Sequence, residues 1–263
     1  MDIQNIEKKL EINEQKQFKN RVEALNYYTR QFMYHVPFEN LDVQNGVRIS
    51  TELDDLYDKL IKRNRGGYCY ENNTFFGAYL EEKGFDTHFV GATIHTPNGG
   101  RSRFGTHMSL IVEIEGESYV ADVGFGDLPA DALHVTHDGS DIVEDVGGTY
   151  RAVYIDDTIH VQKWVDDEWQ TKYEAEPQAR DLDHFSDNIE YNQTNPNSVF
   201  VKRLIVTMPK PYGRATMSHE NLTISKEGNK EKQPVTSENY KAFLKKYFGL
   251  DVTVSRLEKD TEE

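Results

Sequence analysis

Residues 71–95 read ENNTFFGAYLEEKGFDTHFVGATIH, and a change of period divides the stretch at Gly84. Up to that glycine it reads as a helix, with Gly84 where a helix commonly ends, just past the last turn. From residue 86 the period is two, the alternation of a half-buried strand. Helices upstream of such a switch and strands downstream of it make an α+β chain rather than a βαβ repeat.

Upstream, NRVEALNYYTRQFMYHVPF places Val22, Leu25, Tyr28 and Phe32 at helical spacing until Pro37 stops the run. Ser50 and Thr51 announce a second helix with Leu53, Leu56, Tyr57, Leu60 and Ile61 on one face. Downstream, HMSLIVEI, SYVADVGF, YRAVYI, HVQKWV and EWQTKYEA alternate, and Asp156-Asp157 and Asp166-Asp167 serve as turns. The segments predict an antiparallel meander curled into a sandwich or barrel. FVKRLIVTMP and ENLTIS read as two further strands. SENYKAFLKKYFG reads as a terminal helix with Tyr240, Phe243, Leu244, Tyr247 and Phe248 inward, and EKDTEE as a frayed tail. The expected division is a helical part over 1–85, a barrel over 86–192 and a smaller α/β part over 193–263.

The 263 residues are enough for a well-buried core, and 13 Phe and 15 Tyr are spread along them. Forty-five acids against thirty bases give a formal charge of −15, which disfavours nucleic acids and anionic membranes as partners. A single cysteine excludes an intrachain disulfide and a multi-thiolate metal site. MDIQNIEKKLEIN lacks the apolar run of a secretory signal and no stretch has the length of a membrane span, so a cytoplasmic location is expected.

That single cysteine, Cys69, lies in RGGYCYENN (65–73), after two glycines and at the start of the third helix. A helix N-terminus favours the thiolate, the reactive form. If Glu115-Gly116 is a hairpin turn, Ile114 faces Glu117, Val112 faces Tyr119 and Leu110 faces Ala121. Met108, Leu110, Val112, Tyr119, Ala121 and Val123 then share an apolar face, and His107, Ser109, Val120 and Asp122 share the other. Asp122 sits diagonal to His107, close enough for a His Nδ1–H to carboxylate bond that leaves Nε2 free. Cys69, His107 and Asp122 thus have the residue types of a nucleophile, a base and its orienter. Other signals carry less. His134, His137 and Asp138 in HVTHD read as a solvated loop rather than a metal site, and GFG at 124–126 has no βαβ unit around it.

RGGYCYENN resembles the Arg-Gly-Gly-x-Cys-x-Glu-x-Asn signature of arylamine N-acetyltransferases, and PFENLDV (37–43), GTHMSLIV (105–112), ADVGFGD (121–127) and QTNPNSVF (193–200) resemble that family's further blocks in the same order. The resemblance implies a helical first domain, a central antiparallel β-barrel and a C-terminal α/β lid around a Cys-His-Asp core like that of cysteine proteases and transglutaminases. It implies a Cys69–His107–Asp122 triad and ping-pong transfer of acetyl from acetyl-CoA to an arylamine or arylhydrazine nitrogen, with no permanently bound cofactor and no metal. It further implies an Arg65–Glu39 ion pair and an acceptor pocket lined by Phe38, Tyr68 and Phe125. The donor contacts it implies are Gly99, Gly100, Arg101, Arg103 and Thr106 in the loop TPNGGRSRFGT, with Thr207 and Arg214 from the third part. Two other readings share the geometry: an amide synthase of the same fold fed by a carrier protein, and an inactive relative that binds CoA or an aromatic ligand.

Overall fold

The computed structural model describes residues 1–96 and 98–258; Pro97 and most of the acidic tail read from EKDTEE lie outside the described residues. The chain begins with helices α1 (Ile3–Lys9), α2 (Arg21–His35), α3 (Leu41–Gln44), α4 (Leu53–Tyr57) and α5 (Cys69–Glu82). Asn20 caps α2 by accepting from the Glu23 N–H. A π-turn, Asp58–Lys62, continues α4. Helix α5 ends at Lys83, and Gly84 follows at φ +77°, the left-handed turn that glycine adopts without a Cβ penalty.

Eight strands follow: β2 (Asp86–Ile94), β3 (His107–Ile114), β4 (Glu117–Val120), β5 (Leu133–Thr136), β6 (Val143–Asp145), β7 (Gly148–Ile155), β8 (Thr158–Val165) and β9 (Glu168–Ala175). They pair in the order β5-β4-β3-β2-β9-β8-β7-β6. A parallel β5–β7 pairing, Val135 to Ala152, closes seven of them into a barrel, with β6 alongside β7. At Asp156-Asp157 and Asp166-Asp167 both residues have positive φ, matching the turn to the strand twist. Strand β3 pairs with β4 as Ile114 to Glu117 and Val112 to Tyr119, the register predicted from the Glu115-Gly116 turn.

The strand read from SYVADVGF stops at Val120, and further elements differ from expectation. Leu133–Thr136 is a strand, so His134 lies opposite Tyr119 rather than in a solvated loop, paired with Glu117 and Asp141. No group of three His, Cys, Asp or Glu suited to a metal occurs among the described residues. FVKRLIVTMP is not one strand. Ser198 caps a helical turn, α7 (Val199–Lys202), by accepting from the Phe200 N–H, and the strand begins only at Val206.

The remaining elements are α6 (Ser186–Thr194), β10 (Val206–Lys210), β11 (Gly213–Met217), β12 (Asn221–Lys226), β13 (Asn229–Pro234), α8 (Tyr240–Phe243) with a π-turn to Phe248, and α9 (Ser255–Glu258). Strands β10 to β13 form an antiparallel sheet whose first strand is β1 (Phe38–Glu39), borrowed from the helical part. Phe38 also bridges Gly67, so β1 ties the cysteine loop to this sheet.

Strand β3 is buried on both faces. Leu110 and Val112 join Phe75, Phe76 and Phe32 in the core under α2 and α5, while Ile111 joins Val90, Tyr150 and Tyr173 inside the barrel. Full burial of each such side chain stabilises the fold by roughly 1.5–3 kcal/mol. Helix α5 is thereby held against β3, and Cys69 against His107. No helix among the described residues is long and apolar enough to cross a membrane.

Candidate active site

Cys69 is the first residue of the 14-residue helix α5 and is buried. At this position the Cys69 and Tyr70 N–H groups have no intrahelical acceptor. His107 opens β3, and its Nε2 lies 2.6 Å from Asp122 Oδ2. Asp122 follows β4 and accepts three more bonds: Tyr173 Oη donates to Oδ2 (2.9 Å), and Asn73 Nδ2 and the Gly124 N–H each donate to Oδ1 (2.9 Å). The imidazole therefore uses the opposite nitrogen from the one expected. Nε2 meets Asp122, which leaves Nδ1 as the second ring nitrogen, and Cys69 is near enough to raise the imidazole pKa. His107 and Asp122 lie on a diagonal of the β3–β4 register, and Cys69 belongs to α5, which packs on β3.

Beneath the cysteine loop lies a buried ionic cluster. Arg65 binds Glu39 and Asp42 (2.8 Å each), and Lys59 binds Glu71 (2.6 Å) and Asp42 (2.7 Å). Glu71 also accepts from the Tyr68 N–H (3.3 Å), and Glu39 from the Leu41 N–H (2.6 Å). Three acids face two bases. Burial, together with Glu39 and Asp42, pushes Glu71 up to about 7 against the pull of Lys59.

A cavity of about 800 Å³ lies between the barrel and the five-stranded sheet, lined among others by Phe38, Phe125, Phe200, Thr207 and Arg214. The Phe125 ring of its wall stands 5.2 Å from the His107 ring, while Cys69, His107 and Asp122 themselves do not line it. Tyr68 is fully buried against Phe200 and is not part of the cavity wall. Gly99, Gly100, Arg101, Arg103 and Thr106 are also absent from it. Arg101 pairs with Glu174 (3.1 Å), Arg103 lies over the Tyr191 ring, and Thr106 donates to the Arg103 carbonyl (2.6 Å).

Residues 21–257 match the N-acetyltransferase family model. That match decides the family. The chain belongs to the arylamine N-acetyltransferase family. It is 30% identical over 224 residues to the arylamine N-acetyltransferase of Escherichia coli K12, covering 82% of this chain and 78% of that protein. The Mycobacterium marinum arylamine N-acetyltransferase in complex with CoA superposes with a TM-score of 0.87 at 26% identity, covering 98% of this chain and 97% of that one. The NAT3 enzyme of Bacillus cereus, whose triad is Cys-His-Glu, superposes at 0.85 with 25% identity, covering 96% and 100%. Where that arylamine N-acetyltransferase has a glutamate in its triad, the carboxylate that touches His107 in this family member is Asp122.

Within this family member the glycines of RGGYC serve packing. A Cβ on Gly66 would lie 1.9 Å from the Pro37 carbonyl oxygen, and one on Gly67 would lie 2.6 Å from Glu71 Cβ. Gly124 is as tight: its Cβ would be 2.5 Å from Cys69 Cα. Gly66→Ala sets backbone against backbone and is expected to cost about 4 kcal/mol or more. Its thermal melt should therefore fall steeply, and a melt within a degree of wild type would mean that the loop yields.

His107 is fully buried, which opposes its charge, yet Asp122 and Cys69 push it up to about 10. Asp122 moves the other way: burial would raise it, but His107, Asn73 and the Gly124 N–H hold it below the ordinary carboxylate range. An unfolded histidine titrates near 6.5. The proton on His107 thus stabilises the fold fully below about pH 6.5, and this contribution is lost as pH rises through about 10. The gap in Tm between wild type and His107→Gln should narrow across that window. A constant gap would remove the charged imidazole.

Sequence reasoning missed Tyr173, Asn73 and Lys59. Asn73 stood in the quoted motif with no role, while Tyr173 and Lys59 join the site only through tertiary contacts.

Proposed function

We propose that this protein transfers acetyl from acetyl-CoA to the nitrogen of an arylamine or arylhydrazine, with Cys69 as nucleophile, His107 as proton carrier and Asp122 as its orienter. The observation that carries the reading is the buried His107–Asp122 pair, with Cys69 near enough to raise the imidazole, next to a cavity of about 800 Å³ whose Phe125 wall packs on His107. The Cys69 thiolate, paired with the charged imidazole, attacks the acetyl carbonyl and forms a C–S bond. The first-turn N–H groups of α5 are placed to receive the developing oxyanion. The carbonyl–sulfur bond to CoA breaks, and the departing thiolate takes the His107 proton. Having given up that proton, the ring is a neutral base. An aromatic amine, unprotonated at neutral pH, attacks the thioester, passes its proton to His107 and leaves acetylated as the thiolate returns.

Phe38 and Phe125 form the acceptor wall in this reading, with Tyr68 supporting it from behind through Phe200. Thr207 and Arg214 stand with the donor, whereas Gly99, Gly100, Arg101, Arg103 and Thr106 carry no donor contact in it. The three-part division at 85 and 192 and a cytoplasmic location belong to the same reading, and a charge of −15 argues against nucleic acid as a partner. Intact mass tests it. Incubation with acetyl-CoA alone should add one acetyl group, and an aromatic amine should remove it. No adduct from acetyl-CoA, with Cys69 still alkylated at neutral pH, would overturn acetyl-CoA as donor.

A further inference from the structure

His107 stands at the very start of β3, where a strand is held least. Toward β2 the ladder begins with His107 itself, opposite Ala92, and toward β4 it reaches no further than Ile111. Strand ends open readily unless other groups take up their polar atoms. Here side chains do so. Three consecutive carbonyls lead up to the histidine, and each accepts a hydrogen bond from outside the loop. Phe104 accepts from Asn188 Nδ2 (3.2 Å), Gly105 from Tyr70 Oη (2.9 Å) and Thr106 from Asn192 Nδ2 (3.0 Å). Just past the histidine, the Met108 carbonyl accepts from Asn73 Nδ2 (2.7 Å).

Asn188 and Asn192 are buried and stand one turn apart on α6, so they share a face. Asn192 also donates to Tyr70 Oη (3.3 Å), which joins two of the three donors to each other. The helix that carries them is anchored. Ser198 Oγ donates to the Asn192 carbonyl (2.9 Å), and Gln193 Oε1 accepts from the Ile49 N–H (3.1 Å). Phe185, just before the helix, and Ile189 on it pack with Tyr68, Tyr70, Cys69 and Met108. Gly105 fits this clamp because it lacks a side chain: its φ is +72°, and a Cβ there would lie 2.7 Å from Asn188 Nδ2. Neither asparagine lines the cavity.

We propose that Asn188 and Asn192 are positioning residues for acetyl transfer: they fix the peptide units before His107 and thereby hold its imidazole on Asp122 beside Cys69. This rests on the triad reading above. Asn192 carries the larger share, because its amide serves both the Thr106 carbonyl next to His107 and the Tyr70 hydroxyl. Asn188 serves the carbonyl of the half-exposed Phe104, and its own Oδ1, although buried, accepts no hydrogen bond among the described residues. Asn188→Ala removes that orphaned oxygen together with the bond, so it loosens the loop at little cost to the fold.

The test follows Cys69 in wild type, Asn188→Ala, Asn192→Ala and His107→Gln by two single-turnover readouts, acetylation by acetyl-CoA and alkylation by iodoacetamide at neutral pH, beside thermal melts. The maximal acetylation rate of Asn192→Ala should fall about 10- to 100-fold, with little change in the acetyl-CoA concentration that half-saturates it. Alkylation should slow in step, since a displaced imidazole no longer assists the thiolate. Asn188→Ala should move the same way by a smaller factor, with Tm within about 4 °C of wild type. A residue that only packs the fold gives the opposite sign, because loosening exposes the buried thiol and speeds its alkylation. Faster alkylation, or both reactions at wild-type rates despite a lowered Tm, would overturn the assignment. Wild-type alkylation of His107→Gln would defeat the triad reading and the positioning role with it. A wild type that is alkylated but not acetylated would defeat only acetyl-CoA as donor, and the alkylation rates would still decide the role of the two asparagines.

Discussion

Cys69→Ala is expected to abolish acetyl transfer, by about 10⁵-fold or more, with the fold retained. Cys69 is the single thiol of the chain, so no second cysteine can take over the acetyl group. The side chain is buried at the start of α5, and its sulfur carries no hydrogen bond that the helix itself depends on. Losing one sulfur atom there costs roughly 1 kcal/mol, a few degrees in Tm. The two readouts are intact mass after incubation with acetyl-CoA and a thermal melt by circular dichroism. An acetyl adduct on the alanine variant would place the nucleophile elsewhere. A collapsed melt would mean that the thiol is structural.

Asp122→Asn should lower kcat/KM by about 10³- to 10⁴-fold. Both oxygens of Asp122 accept only, from His107 and Tyr173 on one side and from Asn73 and Gly124 on the other. An asparagine amide must turn its NH₂ toward one of these pairs, where it meets donors. If it faces His107, Nε2 has to become the acceptor, Nδ1 takes the proton, and the neutral ring toward Cys69 is in the wrong tautomer. The variant also deprives the buried imidazole of its counter-charge, so Cys69 alkylation at neutral pH should slow in step with turnover. Asp122→Glu keeps the carboxylate and should lose less. Near-normal turnover in Asp122→Asn would remove Asp122 from the machinery.

Much of this site was legible in the chain because its signals are local. Two-residue periodicity and the Glu115-Gly116 turn set the register of β3 on β4, since a one-residue slip would turn the apolar faces out. That register puts Asp122 diagonal to His107. The position of Cys69 at a helix start followed from the break at Gly66-Gly67 and the helix that runs to Gly84. The exceptions have local causes too. A serine cap bent the start of FVKRLIVTMP into α7, and barrel closure drew Leu133–Thr136 into a strand that its mixed polarity concealed.

Long-range partnerships were a different matter. Tyr173 reaches Asp122 across 51 residues because the barrel closes, and Lys59 and Arg65 meet Glu39, Asp42 and Glu71 because β1 is pinned between Gly67 and β10. The ring nitrogen that faces Asp122 follows from how elements pack and pair. Periodicity constrains a residue relative to its near neighbours and the face it shares. Which groups meet across the fold depends on burial and charge satisfied over the whole chain at once, and that is resolved only when the barrel and the sheet have closed around Cys69.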